Sequence, residues 1–338
     1  MNRQWRAVLL FGGKLLLLGL LFAWAWAVLA RLDWHQPATL IASASIPWLC
    51  AAGLLLAARP VAWAARWRLA AGRRGITLPL GWASAAVAGA MAVDHLTPTA
   101  RLLGGLLRAR WQARTYSSKI GVAFGPILYE QLSHEVLMAL ATMTGLVLLA
   151  ALRGYGWVST GLAALGILFV ALTIWWFRRR GTGWLKAVAT RVGSLETGRA
   201  RWRKPLADGG RDTLRELTEL LKDHRLGASS LAWGIVILLL TVSAQLMVFA
   251  SLDIAAGILI VLTTVALGNT AGAVAGTPGG VGATEAAMIG CYVLLGVAPA
   301  DAAAGVALLR AGHYLMIFVM GLPALAAFEL RARTQGLP

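Results

Sequence analysis

Long apolar runs separated by short basic patches set the pattern of this chain. The clear runs cover residues 8–30, 39–58, 122–152, 157–177, 229–250 and 301–329. As helices rising about 1.5 Å per residue, each can cross a hydrocarbon core of about 30 Å. Two weaker stretches break the pattern. Residues 79–95 are rich in Ala and Gly and end at Asp94-His95-Leu96-Thr97-Pro98, and 255–296 is cut between Gly268 and Glu285 by glycines, one proline and a carboxylate. Irregular backbone at lipid depth is tolerated only when protein covers it or it lines a wet cavity, because hydrocarbon cannot satisfy free N–H and C=O groups. The glycine segment is therefore the first candidate for function.

Basic residues orient the runs. Arg3 and Arg6 precede the first, and Arg59, Arg66, Arg68, Arg73 and Arg74 follow the second. Retention of Lys and Arg on the inner side places the N-terminus and a 59–78 loop in the cytoplasm, and the loop with Asp33, Trp34 and His35 outside. A full crossing by 79–95 would strand Arg101, Arg108, Arg110, Arg114 and Lys119 on the outer face. A re-entrant hairpin from the cytoplasmic side removes the conflict. A second hairpin from outside, 255–275 with 283–296, lets the last span return Arg331 and Arg333 to the cytoplasm. The predicted fold is an all-α membrane protein, a polytopic helical bundle with about six full spans plus two re-entrant helical hairpins. Hairpins from opposite faces resemble an inverted-repeat transporter, although no convincing internal sequence repeat is found.

Composition agrees with a membrane protein. Of 338 residues, 59% are hydrophobic and 13% charged, with mean hydropathy +0.71, too few charges to coat a soluble globule. The net charge of +17 comes from 31 Lys+Arg against 14 Asp+Glu and fits anchoring to an anionic leaflet. Nucleic acid is not an expected partner, since that requires a basic face on a folded soluble domain and no segment is long enough. The run from Val8 to Ala30 is longer than a signal-peptide core and reads as an uncleaved span. Cys50 and Cys291 lie in apolar segments with no cysteine nearby and read as small core residues. The 15 Trp fit interfacial belts. One sizeable polar connection, 178–228, interrupts a single membrane domain over 1–338. Within it Leu214, Leu217, Leu220 and Leu221 share a helical face, with Arg215, Glu216, Glu219, Lys222 and Asp223 around the rest. This is an amphipathic cytoplasmic helix, lying on the membrane or packed under the bundle.

The run Thr277-Pro278-Gly279-Gly280-Val281-Gly282-Ala283-Thr284-Glu285, followed by Leu308-Leu309-Arg310 and Met320-Gly321-Leu322-Pro323, resembles the transmembrane domain of lysylphosphatidylglycerol synthases. The same domain defines a broader flippase-like family of stand-alone membrane proteins, in which a P-G-G-x-G-x-x-E element precedes an arginine-bearing span. Leu106-Leu107-Arg108-Ala109 and Ile127-Leu128-Tyr129-Glu130 resemble that family's arginine-bearing hairpin and next helix, where a Glu-Arg pair is usual and this chain has Gln131 instead of the arginine. The resemblance implies movement of a lipid headgroup between leaflets. Aminoacyl transfer is not expected, because the synthases' soluble transferase domain has no counterpart before Pro338. The expected function is a lipid or lipid-linked headgroup translocase of the bacterial inner membrane, with both termini cytoplasmic. It would move an anionic or zwitterionic amphiphile through a polar intramembrane groove. The alternative is a non-transporting scaffold for a lipid, hopanoid or cell-envelope biosynthetic enzyme, docked through 178–228. Neither reading calls for a cofactor or a metal, and no Ser/His/Asp set, HExxH motif or complete metal constellation points to an enzyme.

The candidate lipid-binding set is Arg101, Arg108, Glu130, His134, Asn269, Pro278, Gly279, Gly280, Glu285, Arg310 and His313. Pro278-Gly279-Gly280 ends a helix and would free amides which, with the helix start near Ala283, make an anion site for a phosphate headgroup. Gly268, Gly272 and Gly276 recur every fourth residue, a spacing that serves tight helix packing equally well. Glu285 falls in the first helical turn, where a carboxylate caps. A charge at bilayer depth also costs ~2.5–3.5 kcal/mol, which calls for a partner such as Arg310 or His313. Glu130 and His134, four apart, share a face; a metal would lack further ligands, and a hydrated patch facing Arg101 or Arg108 explains them with less. Asp94 and His95 line the cavity or cap the turn before Pro98, and Gln245 and Asn269 suit interhelical hydrogen bonds. Lys14 can snorkel to the surface and carries no assigned role.

Overall fold

The computed structural model describes residues 35–97, 102–157, 160–161, 203–275 and 277–334. The predicted span 8–30, most of 157–177, and the candidates Arg101 and Gly276 lie outside these residues. Among the described residues every regular element is helical. In chain order they are α1 (His35–Ala42), α2 (Ile46–Gly72), α3 (Leu80–Leu96), α4 (Leu102–Thr115), α5 (Ile120–Leu152), α6 (Arg203–Lys222), α7 (His224–Ser251), α8 (Ile258–Ala275), a single 3-10 turn (Pro278–Gly280), α9 (Ala283–Leu294), α10 (Pro299–Met316), a π-helical stretch (Ile317–Gly321) and α11 (Leu322–Thr334).

Among the described residues, five helical stretches are long and apolar enough to cross a membrane: α2, α5, α7, α8 and the continuous run Pro299–Arg331. The chain is an all-α membrane protein. Among the described residues α3, α4 and α9, with 17, 14 and 12 residues, reach only about 25, 21 and 18 Å, too short for a core of about 30 Å. Each packs beside a neighbour in sequence, α3 with α4 and α9 with α8, so the molecule holds two helical hairpins with a short arm. The α8–α9 pair is drawn tight by small residues. A methyl group at Gly268 would sit 2.4 Å from Met288 Cγ, and one at Gly272 2.3 Å from Thr284 Oγ1, so close packing alone accounts for these two glycines.

Two expectations about α2 need correction. The predicted loop over 59–78 is helical as far as Gly72, so Arg59 and Arg66 project from a membrane-length helix rather than from a surface connection. Pro60 does not end it, and Arg66 is buried. The buried charge is supported by polar neighbours, Ser133 Oγ 2.7 Å from Nη2 and Ser230 Oγ 2.8 Å from Nε. The tryptophans of this region also depart from the belt prediction. Trp63, Trp67 and Trp111 are core residues, with Trp67 tilted on Trp82 and Trp111 stacked on Phe328. Cys291 is buried as predicted, whereas Cys50 is exposed on the bundle surface.

Helix α6 is packed against the bundle. Leu217 and Leu220 are buried with Tyr129 and Leu226, while Leu221 is exposed, so the apolar stripe is narrower than its leucines suggest. Thr213 Oγ1 donates to Gly121 O at the start of α5 (3.0 Å). Ion pairs Arg74–Glu216 and Arg73–Asp223 (3.1 Å) tie α6 to the end of α2. Asp223 also caps α7 by accepting from Leu226 N–H at 2.9 Å. The π stretch before α11 has a local cause. Pro323 cannot donate to the carbonyl of Val319 and its ring crowds that carbonyl, so the helix widens by one residue there.

Candidate functional site

Between α2, α3, α4, α5, α7, α8, α9 and α10 lies a cavity of about 180 Å³. At about 15 Å³ per water, it holds on the order of ten waters. Its polar lining comes from Arg59, Asp94, His95, Arg108, Gln131, His134, Asn269, Thr277, Gly279, Gly280, Arg310 and His313. Its apolar lining includes Leu56, Met138, Leu238, Val265, Met288 and Leu309. Of the predicted set, Arg108, His134, Asn269, Gly279, Gly280, Arg310 and His313 meet here. Glu130, Pro278 and Glu285 do not line the cavity.

Arg310 organises the side formed by the Pro-Gly-Gly turn. Its Nε donates to Glu285 Oε1 (2.5 Å), and its Nη2 to the Gly279 carbonyl (2.8 Å) and to Tyr314 Oη (3.0 Å). Glu285 Oε2 accepts from Gly282 N–H at 2.8 Å, half of a capping box at the start of α9. Gly279 sits at φ +57, left-handed backbone that suits glycine, and a methyl group there would lie 2.9 Å from His95 Cδ2. The freed amides expected of this turn are largely spent. Gly280 N–H donates to Thr277 O, Val281 N–H to Pro278 O and Gly282 N–H to Glu285. The carboxylate of Glu285 already takes the place at the helix start that an anion was expected to fill. Cationic character at this wall is supplied by Arg310.

The opposite wall is built on α4 and α5. Arg108 Nη1 donates to both oxygens of Glu130, at 3.1 and 3.3 Å, and its guanidinium lies 5.2 Å from the centre of the Trp67 ring. Glu130 is fully buried behind Arg108, and Arg66 comes at it from α2. Arg108 is hydrogen-bonded to this carboxylate, whereas Arg66 bonds to Ser133 and Ser230. Farther along α5, His134 meets Trp63 edge-on with ring centres 4.6 Å apart, and its Nε2 is 3.5 Å from Asn269 Nδ2 on α8. The predicted pairing of Asn269 across helices therefore has a partner in the structure, as does Gln245, whose amide donates to Gly305 O at 3.3 Å.

His313 joins α10 to α2. Its Nδ1 donates to Leu309 O (3.0 Å), leaving Nε2 as the acceptor for Arg59 Nη1. Arg59 and Arg66 were missed as site residues because basic residues after an apolar run read as the edge of the membrane. Their spacing held the clue: residues 59, 63 and 66 fall on one helical face, and Trp63 stacks with Arg66 at 5.6 Å. No group of three or more His, Cys, Asp or Glu among the described residues is arranged to hold a metal.

The model of the lysylphosphatidylglycerol synthase TM region matches residues 9–321 of this chain. The chain belongs to that family. The UPF0104 membrane protein of Methanothermobacter thermautotrophicus is 24% identical over 249 residues, which cover 70% of this chain and 72% of that protein. Within this family member, the two motif-bearing segments face one cavity: the Pro278–Glu285 element through Gly279 and Gly280, and the α4 helix through Arg108.

Proposed function

We propose that this protein is a lipid or lipid-linked headgroup translocase of the bacterial inner membrane, with both termini cytoplasmic. The observation that carries the reading is a cavity inside an apolar bundle whose lining combines arginines, histidines and amides with Leu, Val and Met. Such a lining matches an amphiphile. A charged headgroup moved through bare hydrocarbon loses its hydration without compensation, whereas guanidinium, imidazole and amide groups with several waters replace much of it. Acyl chains can stay among the apolar lining and the lipid tails. In this reading the α3–α4 hairpin enters from the cytoplasmic side and α8–α9 from the opposite face. No covalent step is needed, so the protein acts as a transporter rather than an enzyme, with membrane lipids as its partners.

The test is a proteoliposome assay of leaflet distribution. Purified protein should speed the exchange of at least one headgroup-labelled lipid, and a variant with the cavity filled, such as Asn269→Trp, should not. Unchanged distribution of every lipid tested would count against translocation. A scaffold role has one supporting observation: α6 is docked yet leaves Arg215, Glu219, Leu221 and Lys222 exposed on its outer face. If substitutions on that face abolished capture of a lipid-biosynthetic enzyme and left lipid movement intact, the scaffold reading would prevail.

A further inference from the structure

The cavity is rich in donors and poor in anions. A guanidinium carries five N–H donors. Arg108 spends only its Nη1 pair on Glu130, and Arg310 spends Nε and Nη2 on Glu285, Gly279 and Tyr314. Among the described residues, Arg108 is thus left with the donors on Nε and Nη2, and Arg310 with those on Nη1. Both side chains line the cavity, while the carboxylates that hold them stand behind. Arg59 adds a third cation to the lining. The lining carboxylate is Asp94, and its Oδ1 accepts from Gly104 N–H at 2.8 Å. A headgroup ammonium would find one carboxylate in the lining, its other acceptors being neutral, and Trp63 alone is no aromatic cage.

We propose that the cavity selects an amphiphile whose headgroup is a phosphate of net negative charge, held by Arg108 and Arg310, over one whose phosphate is balanced by a cation. This deepens the reading of the cavity as the cargo site and rests on it. Planar guanidinium forks suit phosphate oxygens, and charge-assisted hydrogen bonds are roughly twice as strong as neutral ones. The carboxylates that orient the forks are not among the lining residues, so they do not occupy the donors left facing the cavity. The apolar lining provides for the stem.

Native mass spectrometry of the full chain in detergent, titrated with phosphatidic acid and phosphatidylcholine of identical acyl chains, tests the proposal. Phosphatidic acid should bind at least about ten-fold more tightly. Asp94→Asn keeps the oxygen that accepts from Gly104 but removes a negative charge, so it should widen the gap. Arg108→Lys keeps the charge but loses the fork, so it should narrow it. Equal affinity for the two lipids, or loss of selectivity in Asp94→Asn, overturns the proposal. Inorganic phosphate should displace phosphatidic acid poorly, for want of a stem. Displacement at equal concentration would assign the site to a soluble anion and overturn the lipid part. Selective binding without leaflet exchange would sink the translocase reading and leave this one standing, and equal exchange of all headgroups would do the reverse.

Discussion

Replacing Arg310 with Met asks whether one guanidinium holds the glycine turn against α10. The substitution keeps an apolar stem and removes bonds to Glu285 (2.5 Å), Gly279 O (2.8 Å) and Tyr314 Oη (3.0 Å). The paired side chains retain only 11% and 23% of their exposure, so solvent screens the pair little. Removing one partner of a buried ion pair costs about 3–5 kcal/mol, mostly because the other charge is stranded. Glu285 is not wholly stranded, since Gly282 N–H still donates to it. The start of α9 adds a favourable dipole worth up to ~2 kcal/mol. The expected loss is therefore about 2–3 kcal/mol. Reversible unfolding in mixed dodecylmaltoside and SDS micelles measures it. Glu285→Gln keeps an oxygen for the Gly282 cap and should cost only about 1 kcal/mol. The double variant should fall short of the sum by about 1–2 kcal/mol. A loss under about 0.5 kcal/mol for Arg310→Met, in the range of ordinary surface changes, would refute the reasoning, as would strict additivity.

Glu130→Ala should be among the most damaging substitutions, costing about 3–5 kcal/mol in the same assay, because it strands Arg108 in the interior; tolerance of Glu130→Ala would mean that water already hydrates the guanidinium. Gly279→Ala forces an L side chain into left-handed backbone and a methyl group against His95, for about 1–3 kcal/mol, and should shift Arg310 away from the turn; an unchanged stability argues against a rigid turn. Docking of α6 should weaken in acid. Asp223, which pairs with Arg73 at the end of α2, is held below the usual carboxylate range, mainly through the Leu226 N–H. Groups with lowered folded pKa stabilise above their unfolded values and lose that contribution as pH falls through the folded ones. Spin labels at Arg215→Cys and Ile120→Cys, in a Cys50→Ser background, should therefore move apart as pH drops below about 4; separation that instead grows on going to neutral pH contradicts the sign.

Much of the fold was legible because bilayer physics writes itself into composition. Apolar runs of membrane length at 122–152, 229–250 and 301–329 reappear as α5, α7 and Pro299–Arg331, since a chain in hydrocarbon has few alternatives to helix. The Pro-Gly-Gly element and Glu285 were found for the same reason. They violate a pattern that lipid enforces, and the violation marks where protein must cover the backbone. The amphipathic face of α6 was visible in its leucines, but which of them are buried depended on what α5 offered as a partner, and Leu221 was left outside.

Sequence alone determined that this is a helical membrane protein with a broken segment and a family motif, because hydrophobic length and glycine spacing are local quantities. Only the tertiary structure decided which charges meet. It paired Arg310 with Glu285 and Arg108 with Glu130, brought Arg59 to His313, and drew Arg66 into the interior beside two serines. Whether an arginine on a long helix snorkels to the surface or turns inward depends on the polar atoms that other helices place beside it. That information lies in the packing of α2 against α5 and α7, and no window along α2 contains it.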